Sequence, residues 1–469
     1  MGDKKLFKRT LISVAFTLGF AAAGTASAVD WLMLQGTEPA AASPAVKVWG
    51  FIQTDYQKDF SKASATGAYI SPKLLGPNLN SQSGFNISRV RFGARGTGFP
   101  IDDHVNYFLL AEFGNNGVTV NSTGSTFAKL TDASITLNYI PGARIRTGLF
   151  KYPGSEEGLQ SFLLTDYIDF SEVANGLLLE RFPNKTFTPC APTTITVCGP
   201  GTNGNVGPYT QAQLQNGGSL NTFNAPVGAF RDTGIQLFDA FDMGKDWALS
   251  YAAMVGNGNG IQFDNSDGKY DTYLYLSTEK NLGGTGPYAS GLKFFVWNQS
   301  GQRLADVTND TVANLKLYDR KRSGLGVKYM AKPYRVAAEY ITANGMIFEG
   351  PDKPNFYFAA PGSATGANNG ATAKANGWYL DGGWYIPNTK WELDARYDTL
   401  DANTGLIDEH KFSKWTLGTQ YHFNPMTKVI VNYEKRDFKC TAATTQCTTA
   451  NLNLSGVGNK LGVQLTAAF

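Results

Sequence analysis

From about residue 46 to its end, the chain alternates apolar and polar residues in segments of about ten residues. One such segment places Trp415 and Leu417 on one face and Lys414 and Thr416 on the other. A period of two is typical of a β-strand with one apolar face, and ten residues is the length of a tilted membrane-crossing strand. A soluble sandwich would show the same period with its charged face outwards. The clearest segments are 129–139, 390–400, 413–423, 426–437 and 456–469.

The connections between these segments alternate between short and long. Short links such as 140–143 and 387–389 are each followed, one strand later, by a long link rich in Gly, Asn, Ser and Thr. This alternation is typical of an outer-membrane barrel, with its turns in the periplasm and its loops outside. Residues 46–469 are therefore predicted to form one all-β domain, a transmembrane antiparallel β-barrel of about 16 strands. The long connections are predicted at 57–84, 114–128, 151–228, 256–269, 299–322, 344–376, 401–411 and 438–455.

The composition agrees with a barrel and excludes two other classes. Only 17% of the residues are charged, 13% are aromatic, and there are 52 glycines. The mean hydropathy is −0.23, and no apolar run beyond the N-terminus approaches the ~20 residues of a membrane-spanning helix. A helical membrane protein is thereby excluded, and the aromatic content argues against disorder.

The first 28 residues have the pattern of a secretory signal peptide. Four cations precede the apolar stretch 11–23, which is too short to span a bilayer, and Ala26-Ser27-Ala28 provides a small-residue cleavage site. A retained anchor is the alternative. Cleavage after Ala28 removes the formal net charge of +3, so the charge balance gives no support for nucleic-acid binding. Residues 29–45 are predicted to be a flexible periplasmic lead-in, and the protein is expected in the outer membrane of a Gram-negative bacterium.

The four cysteines form two local pairs in loop-like sequence, Cys190 with Cys198 and Cys440 with Cys447. Export permits disulfides, and we predict one within each pair. Neither pair has metal-ligand spacing and no histidine lies nearby, so a zinc site is not predicted. A haem-attachment motif is also absent from the sequence, and no cofactor is predicted.

The long connection 151–228 follows the predicted fifth strand. Sixteen strands enclose a wide aqueous channel, and a long loop at this place would narrow it. Long structureless loops within compact domains are usually functional. We predict that it folds inwards as a constriction, while an extracellular flap remains the alternative, above all for its middle, 189–224.

Cations are concentrated on the two strands nearest this loop. Arg89, Arg91 and Arg95 share one face of the second strand, and Arg144 and Arg146 share one face of the fifth. Residues two apart on a strand lie about 6–7 Å apart on one wall. Such a row attracts anions and can pass them from site to site. The alternative is that these arginines only hold the loop, by pairing with its carboxylates Glu156, Glu157, Asp166 or Asp169.

Two motifs in this region resemble a known family. Residues 88–96, Ser-Arg-Val-Arg-Phe-Gly-Ala-Arg-Gly, resemble the second-strand motif of the phosphate-selective porin O/P family. Residues 146–154, followed by Glu157, Ser161 and Glu180-Arg181, resemble its fifth-strand and loop motif. The resemblance implies a sixteen-stranded, usually trimeric channel that favours anions. It implies an anion pathway made of Arg89, Arg91, Arg95, Arg144, Arg146 and Lys151.

These observations predict a porin for passive diffusion of small hydrophilic solutes, with a lean to anions such as phosphate. A general non-selective porin is one alternative, and a barrel sheath around a partner redox protein, which needs an open lumen, is another. No enzyme is predicted, because three histidines and no nucleophile motif leave nothing to mark a catalytic site. Phe469 ends an alternating strand and is predicted to be the signal for the outer-membrane assembly machinery. The expected partners are outer-membrane lipid, that machinery and small solutes.

Overall fold

A computed structural model describes most of the predicted barrel. It covers residues 30–34, 46–62, 83–98, 102–116, 118–119, 128–179, 228–261, 263, 265, 268–284, 289–305, 316–347, 369–406 and 409–469. The predicted signal peptide, most of the lead-in, the loop segment 180–227 and the pair Cys190 and Cys198 lie outside these residues.

Sixteen strands form one closed antiparallel barrel, in which each strand pairs with its sequence neighbours and β1 pairs with β16. The predicted fold and strand number are confirmed. The first eight strands are β1 (Lys47–Asp59), β2 (Ser83–Gly98), β3 (Asp102–Glu112), β4 (Lys129–Leu137), β5 (Arg144–Lys151), β6 (Arg231–Gly244), β7 (Trp247–Gly256) and β8 (Asp271–Gly283). The others are β9 (Ser290–Ala305), β10 (Lys316–Ala331), β11 (Tyr334–Asn344), β12 (Lys374–Tyr385), β13 (Trp391–Ala402), β14 (His410–Asn424), β15 (Thr427–Cys440) and β16 (Lys460–Ala468).

The alternation places apolar side chains outside and charged ones inside. On β14, Trp415 is 51% exposed on the outer surface, whereas Lys414 is buried towards the lumen. The outer surface carries further exposed aliphatic and aromatic side chains on every side of the barrel. This polarity is the reverse of a soluble sandwich, and it is the one that lipid around a polar lumen requires.

A β-bulge on β2 sets which of its side chains face inwards. Gln53 of β1 pairs with Arg89 and the next residue, Thr54, pairs with Ile87, so Ser88 is an extra residue in the ladder. The bulge changes the parity of β2. Ile87 points outwards before it, and Arg89 and the residues two apart after it point into the lumen.

The eight long connections occur where they were predicted, but several strands extend further. The predicted loop 299–322 is shorter, because β9 continues to Ala305 and β10 begins at Lys316. Polar residues continue the alternation here beyond the apolar outer band. Within this extension Arg303 binds Asp271 of β8 at 2.8 Å, so the sheet continues although the composition is loop-like.

Five short α-helices and one 3-10 helix, Phe162–Leu164, accompany the barrel in the described part of the chain, and the α-helices are numbered in chain order. They are α1 (Trp31–Leu34), α2 (Glu156–Leu159), α3 (Glu172–Leu178), α4 (Asn369–Thr372) and α5 (Thr445–Leu454). Among the described residues, no helix has the length and apolar character to cross a membrane. The disulfide between Cys440 and Cys447 is present as predicted, and it ties α5 to the end of β15.

The lead-in differs from the prediction where it is described. Trp31 and Leu32 are almost completely buried, and Asp30 accepts a hydrogen bond from the hydroxyl of Ser250 on the inner face of β7. Residues 30–34 therefore lie inside the barrel, because they offer apolar side chains and a carboxylate that the interior can accommodate.

Candidate functional site

The connection after β5 lies inside the lumen over its described part. The backbone carbonyl of Phe170 accepts a hydrogen bond from Lys414 at 3.2 Å, and the amide of Glu172 donates to Asp398 at 2.7 Å. Further along, the carbonyl of Leu177 accepts from Arg322 at 2.9 Å. These donors and acceptors project inwards from β14, β13 and β10. Residues 152–179, here called the constriction loop, thus fold inwards as predicted.

Three of the predicted cations converge on one aromatic ring of the constriction loop. The guanidinium carbons of Arg89 and Arg91 lie 4.5 and 4.6 Å from the centre of the Phe162 ring, and the ammonium of Lys151 lies 4.8 Å from it. All four side chains are buried. A cation over a ring face is attracted by the ring quadrupole, and more strongly where water is excluded. We call these four residues the Phe162 cluster.

Neutral and acidic groups hold the cluster to the wall. The side chain of Gln53 donates to the carbonyl of Phe162 at 2.9 Å and accepts from Arg89 at 2.9 Å. Arg91 donates through Nε to Glu112 at 2.7 Å. Arg89 Nε and Arg91 Nη2 have no hydrogen-bond partner in the described part of the chain. The two guanidinium groups therefore retain donor capacity.

The other three predicted anion-pathway residues lie on the same two strands, away from Phe162. Arg146 lies with its guanidinium carbon 4.3 Å from the ring centre of Phe238 on β6. Arg144 lies at the start of β5, 3.7 Å from Asp239, and Arg95 is buried towards the end of β2. The structure brings Arg89, Arg91 and Lys151 together. The other three, Arg95, Arg144 and Arg146, lie on the same two strands, nearer the ends that join the short turns.

The loop carboxylates take their partners from other strands. Glu156 pairs with Lys293 at 2.8 Å and with Lys328 at 3.1 Å, on β9 and β10. Among the described contacts, none of these carboxylates pairs with an arginine of β2 or β5. The alternative in which those arginines hold the loop by such pairs is therefore not observed. The remaining pairs are Glu157 with Arg396 (3.2 Å), Asp166 with Arg335 (3.3 Å), Asp169 with Lys460, and Glu172 with Lys414 (3.3 Å).

Charge is thus distributed unevenly around the lumen. The single guanidinium group of Arg335 contacts four carboxylates, those of Asp166, Asp381, Glu392 and Asp394. The wall of β11–β13 is therefore rich in acid. By contrast, the Phe162 cluster brings three cations together around a neutral ring, so positive potential is concentrated on the wall of β2 and β5.

Sequence reasoning missed Phe162, Gln53 and Glu112 as parts of this site. A signal for Phe162 existed, because Phe162–Leu164 is one of two apolar runs, the other being 177–179, in the first part of this connection. An apolar run in a loop indicates that it packs against something. Gln53 and Glu112 are two of many polar residues that face the lumen. Only the strand register shows which of these many residues lie beside the constriction loop.

One group of side chains has the composition of a metal site, and it lies away from the lumen site. Asp102, Asp103 and His104 have ligand atoms within 4.8 Å of one another near the turn before β3. His104 Nδ1 already contacts Asp102 at 3.2 Å and Asp103 at 3.0 Å, and Asp102 also accepts a hydrogen bond from Tyr139. These contacts account for the group, and we assign it no metal.

Comparison with known proteins gives one family and a set of barrels. The sequence model of a family described as "Phosphate-selective porin O and P" matches residues 76–455. A search of curated proteins gave no match. Among solved structures, an anion-selective porin from Comamonas acidovorans is 15% identical, with a TM-score of 0.47, over 91% of this chain and 100% of that one. The channel DcaP of Acinetobacter baumannii is 12% identical, with a TM-score of 0.48, over 92% and 99%. The trimer form of OmpT from Vibrio cholerae is 11% identical, with a TM-score of 0.46, over 90% and 99%.

Proposed function

Since the chain belongs to the phosphate-selective porin O and P family, we propose that its anion preference arises at the Phe162 cluster. The protein is an outer-membrane porin of a Gram-negative bacterium, with a preference for anions. Small hydrophilic solutes cross it by diffusion through the lumen. The proposal assigns the preference to Arg89, Arg91 and Lys151. Further along the same wall, anions would be passed on by Arg95, Arg144 and Arg146.

One observation supports this assignment above the others. The carboxylates of the constriction loop pair with cations of β9, β10, β11, β13, β14 and β16, so they do not neutralise the Phe162 cluster. Glu112 is the one carboxylate that contacts a cation of the cluster directly among the described residues. Cations in a water-poor constriction raise the local concentration of anions and lower that of cations.

The sheath alternative loses support from the same geometry. A partner protein threaded through the barrel needs an open lumen, and residues 152–179 cross the lumen with contacts to β1, β10, β13 and β14. A non-selective porin remains the contrasting case, in which the arginines only hold the loop through Phe162. We further propose a homotrimer, inserted by the outer-membrane assembly machinery, and sedimentation of the detergent-purified protein would measure its mass.

The zero-current potential of purified protein in a planar bilayer under a KCl gradient tests the proposal. The wild type is expected to favour chloride, and the double variant Arg89→Gln/Arg91→Gln is expected to lose most of this preference. Lys435→Gln/Lys439→Gln is the matched control. It removes the same charge from two exposed side chains on the outside of β15, so its potential should equal that of the wild type. An unchanged potential in the arginine variant would assign these residues to holding the loop.

A further inference from the structure

A short segment near the N-terminus occupies the lumen below the constriction loop. Asp30 accepts hydrogen bonds from the amides of Leu32 and Met33 at 3.0 and 3.4 Å, and also one from Ser250 of β7. The ammonium of Lys328 lies 5.6 Å from the Trp31 ring. Contacts with β7 and β10 therefore fix the position of residues 30–34, here called the lumen segment.

A partly open cavity of about 70 Å³ lies between the lumen segment, the constriction loop and the barrel wall. Trp31 forms its boundary on the side of the lumen segment, and Phe162 and Tyr167 form it on the side of the loop. Arg89 and Lys328 contribute from the walls. One water molecule needs about 10–15 Å³ of such a cavity, so there is room for a solute of roughly five heavy atoms, the size of phosphate.

The residues around this cavity carry hydrogen-bond donors that lack acceptors. Trp31 Nε1, Arg89 Nε and the hydroxyl of Tyr167 have no partner in the described part of the chain. The three side chains are 4%, 6% and 6% exposed. Indole and guanidinium nitrogens only donate, and a buried donor without an acceptor costs about 1–3 kcal/mol. An acceptor-rich solute that reaches these groups removes that cost.

The carboxylates that also border the cavity are already engaged. Glu157 binds Arg396, Asp166 and Asp381 bind Arg335, and Asp169 binds Lys460. The ammonium of Lys328 binds Glu156 and keeps 14% of its side chain exposed. The groups that remain to meet a solute are thus the unpartnered donors, and Arg89 is the cation of the lining that has no carboxylate partner in the described part of the chain. A small oxyanion satisfies them, whereas a cation would find its carboxylates already occupied.

We propose that Trp31 is a specificity-determining residue of the channel, and that it binds a small oxyanion in this cavity together with Arg89 and Tyr167. The lumen segment then forms the periplasmic side of the constriction. This inference rests on the proposed function, because it adds a second binding step to the same anion path.

Block of the KCl current by inorganic phosphate, measured on the full chain in planar bilayers, tests the proposal with two variants. Trp31→Phe keeps an aromatic ring and removes the indole N–H. It should leave the conductance close to that of the wild type and raise the half-blocking phosphate concentration roughly tenfold, as expected for one hydrogen bond to a charged group. Trp31→Ala also removes the bulk, and should raise the conductance roughly twofold by widening the constriction. Trp384→Ala is the control, because Trp384 lies exposed on the outer face of β12.

Each result decides the proposal. Equal phosphate block in the wild type and in Trp31→Phe would overturn it, and so would a wild-type current that phosphate does not block. The zero-current potential of the same wild-type channel separates the two hypotheses. A chloride preference without an effect of Trp31→Phe overturns the role of Trp31 alone, whereas the absence of a chloride preference overturns the proposed function. If Trp31→Ala does not assemble, the conservative Trp31→Phe still gives the result.

Discussion

The ring of Phe469 lies directly over the backbone of Gly50. The two residues exchange backbone hydrogen bonds of 3.0 and 2.9 Å, which extend the pairing of β1 with β16. A Cβ atom added at Gly50 would lie 2.5 Å from Phe469 Cζ and 2.5 Å from the carbonyl oxygen of Arg91. The glycine thus provides the space for the Phe469 ring beside the seam at which β1 pairs with β16.

Gly50→Val should displace Phe469 and impair closure of the barrel. Forcing a side chain into an occupied site costs about 1–3 kcal/mol, and here it acts on the seam between the first and last strands. The expected result is a lower fraction of folded barrel in a heat-modifiability gel of refolded protein. Gly382→Val is the control, because that glycine also faces outwards on a strand and its nearest heavy atom would be 3.6 Å away. Equal folding of both variants would contradict the prediction.

Glu156→Gln should increase the anion preference and loosen the constriction loop. Both Lys293 and Lys328 lose their carboxylate partner, so the lumen gains one positive charge. Breaking one side of a buried ion pair costs about 3–5 kcal/mol, which should appear as faster proteolysis of the loop in the folded barrel. The zero-current potential should shift towards chloride. Asp319→Asn makes the same charge change at an exposed site, so it should change neither the zero-current potential nor the rate of loop proteolysis.

Because of the same ion pairs, the stability of the constriction loop is expected to depend on pH. Burial alone would raise the pKa of Glu156, but Lys293 and Lys328 hold the pKa below its ordinary value of 4.5. A carboxyl with a depressed pKa stabilises the folded state above that ordinary value, and the stabilisation is lost as pH falls through the lower pKa. The wild-type conductance should therefore be steady above pH ~4.5 and become noisy below it. Glu156→Gln should lack this transition, and an identical transition in that variant would assign it to another group.

Much of the fold could be predicted from the sequence, because each strand of a barrel obeys a local rule. The lipid side must be apolar and the turns must be short, so segments such as 413–423 can be recognised one at a time. The rule does not apply to the parts of strands that extend beyond the lipid. The pairing of Arg303 with Asp271 extends β9 beyond the apolar band, and no local pattern distinguishes that extension from a loop.

The site was predicted only in part, for a physical reason. Parity on a strand gives the wall on which Arg89 and Arg91 lie, but it does not give the partner across the lumen. The register and the path of the loop decide that Phe162, and no carboxylate, meets these arginines. Trp31 was assigned to a flexible lead-in, because a short segment that packs inside a barrel has no periodicity of its own to reveal it.

Phe162→Ala should raise the single-channel conductance. The side chain is 2% exposed and lines the cavity beside the constriction loop, and truncating a buried Phe costs about 3–5 kcal/mol of packing. The cations remain, so the zero-current potential should keep its sign. Phe162→Leu retains most of the bulk but loses the ring face, and it separates the two effects. If both variants conduct like the wild type, Phe162 does not limit the channel.

Removing the disulfide with Cys440→Ser/Cys447→Ser should loosen α5 and leave the channel unchanged. The bond closes a short loop, which in the chain-entropy account stabilises the fold by about 2–3 kcal/mol. The helix has a second attachment, because Asn451 accepts from the amide of Cys440 at 2.8 Å and donates to its carbonyl at 2.9 Å. Faster proteolysis within 445–454 is therefore expected, and adding Asn451→Ala should accelerate it further. A lower conductance in the double serine variant would contradict this prediction, since α5 packs against β15 and not against the Phe162 cluster.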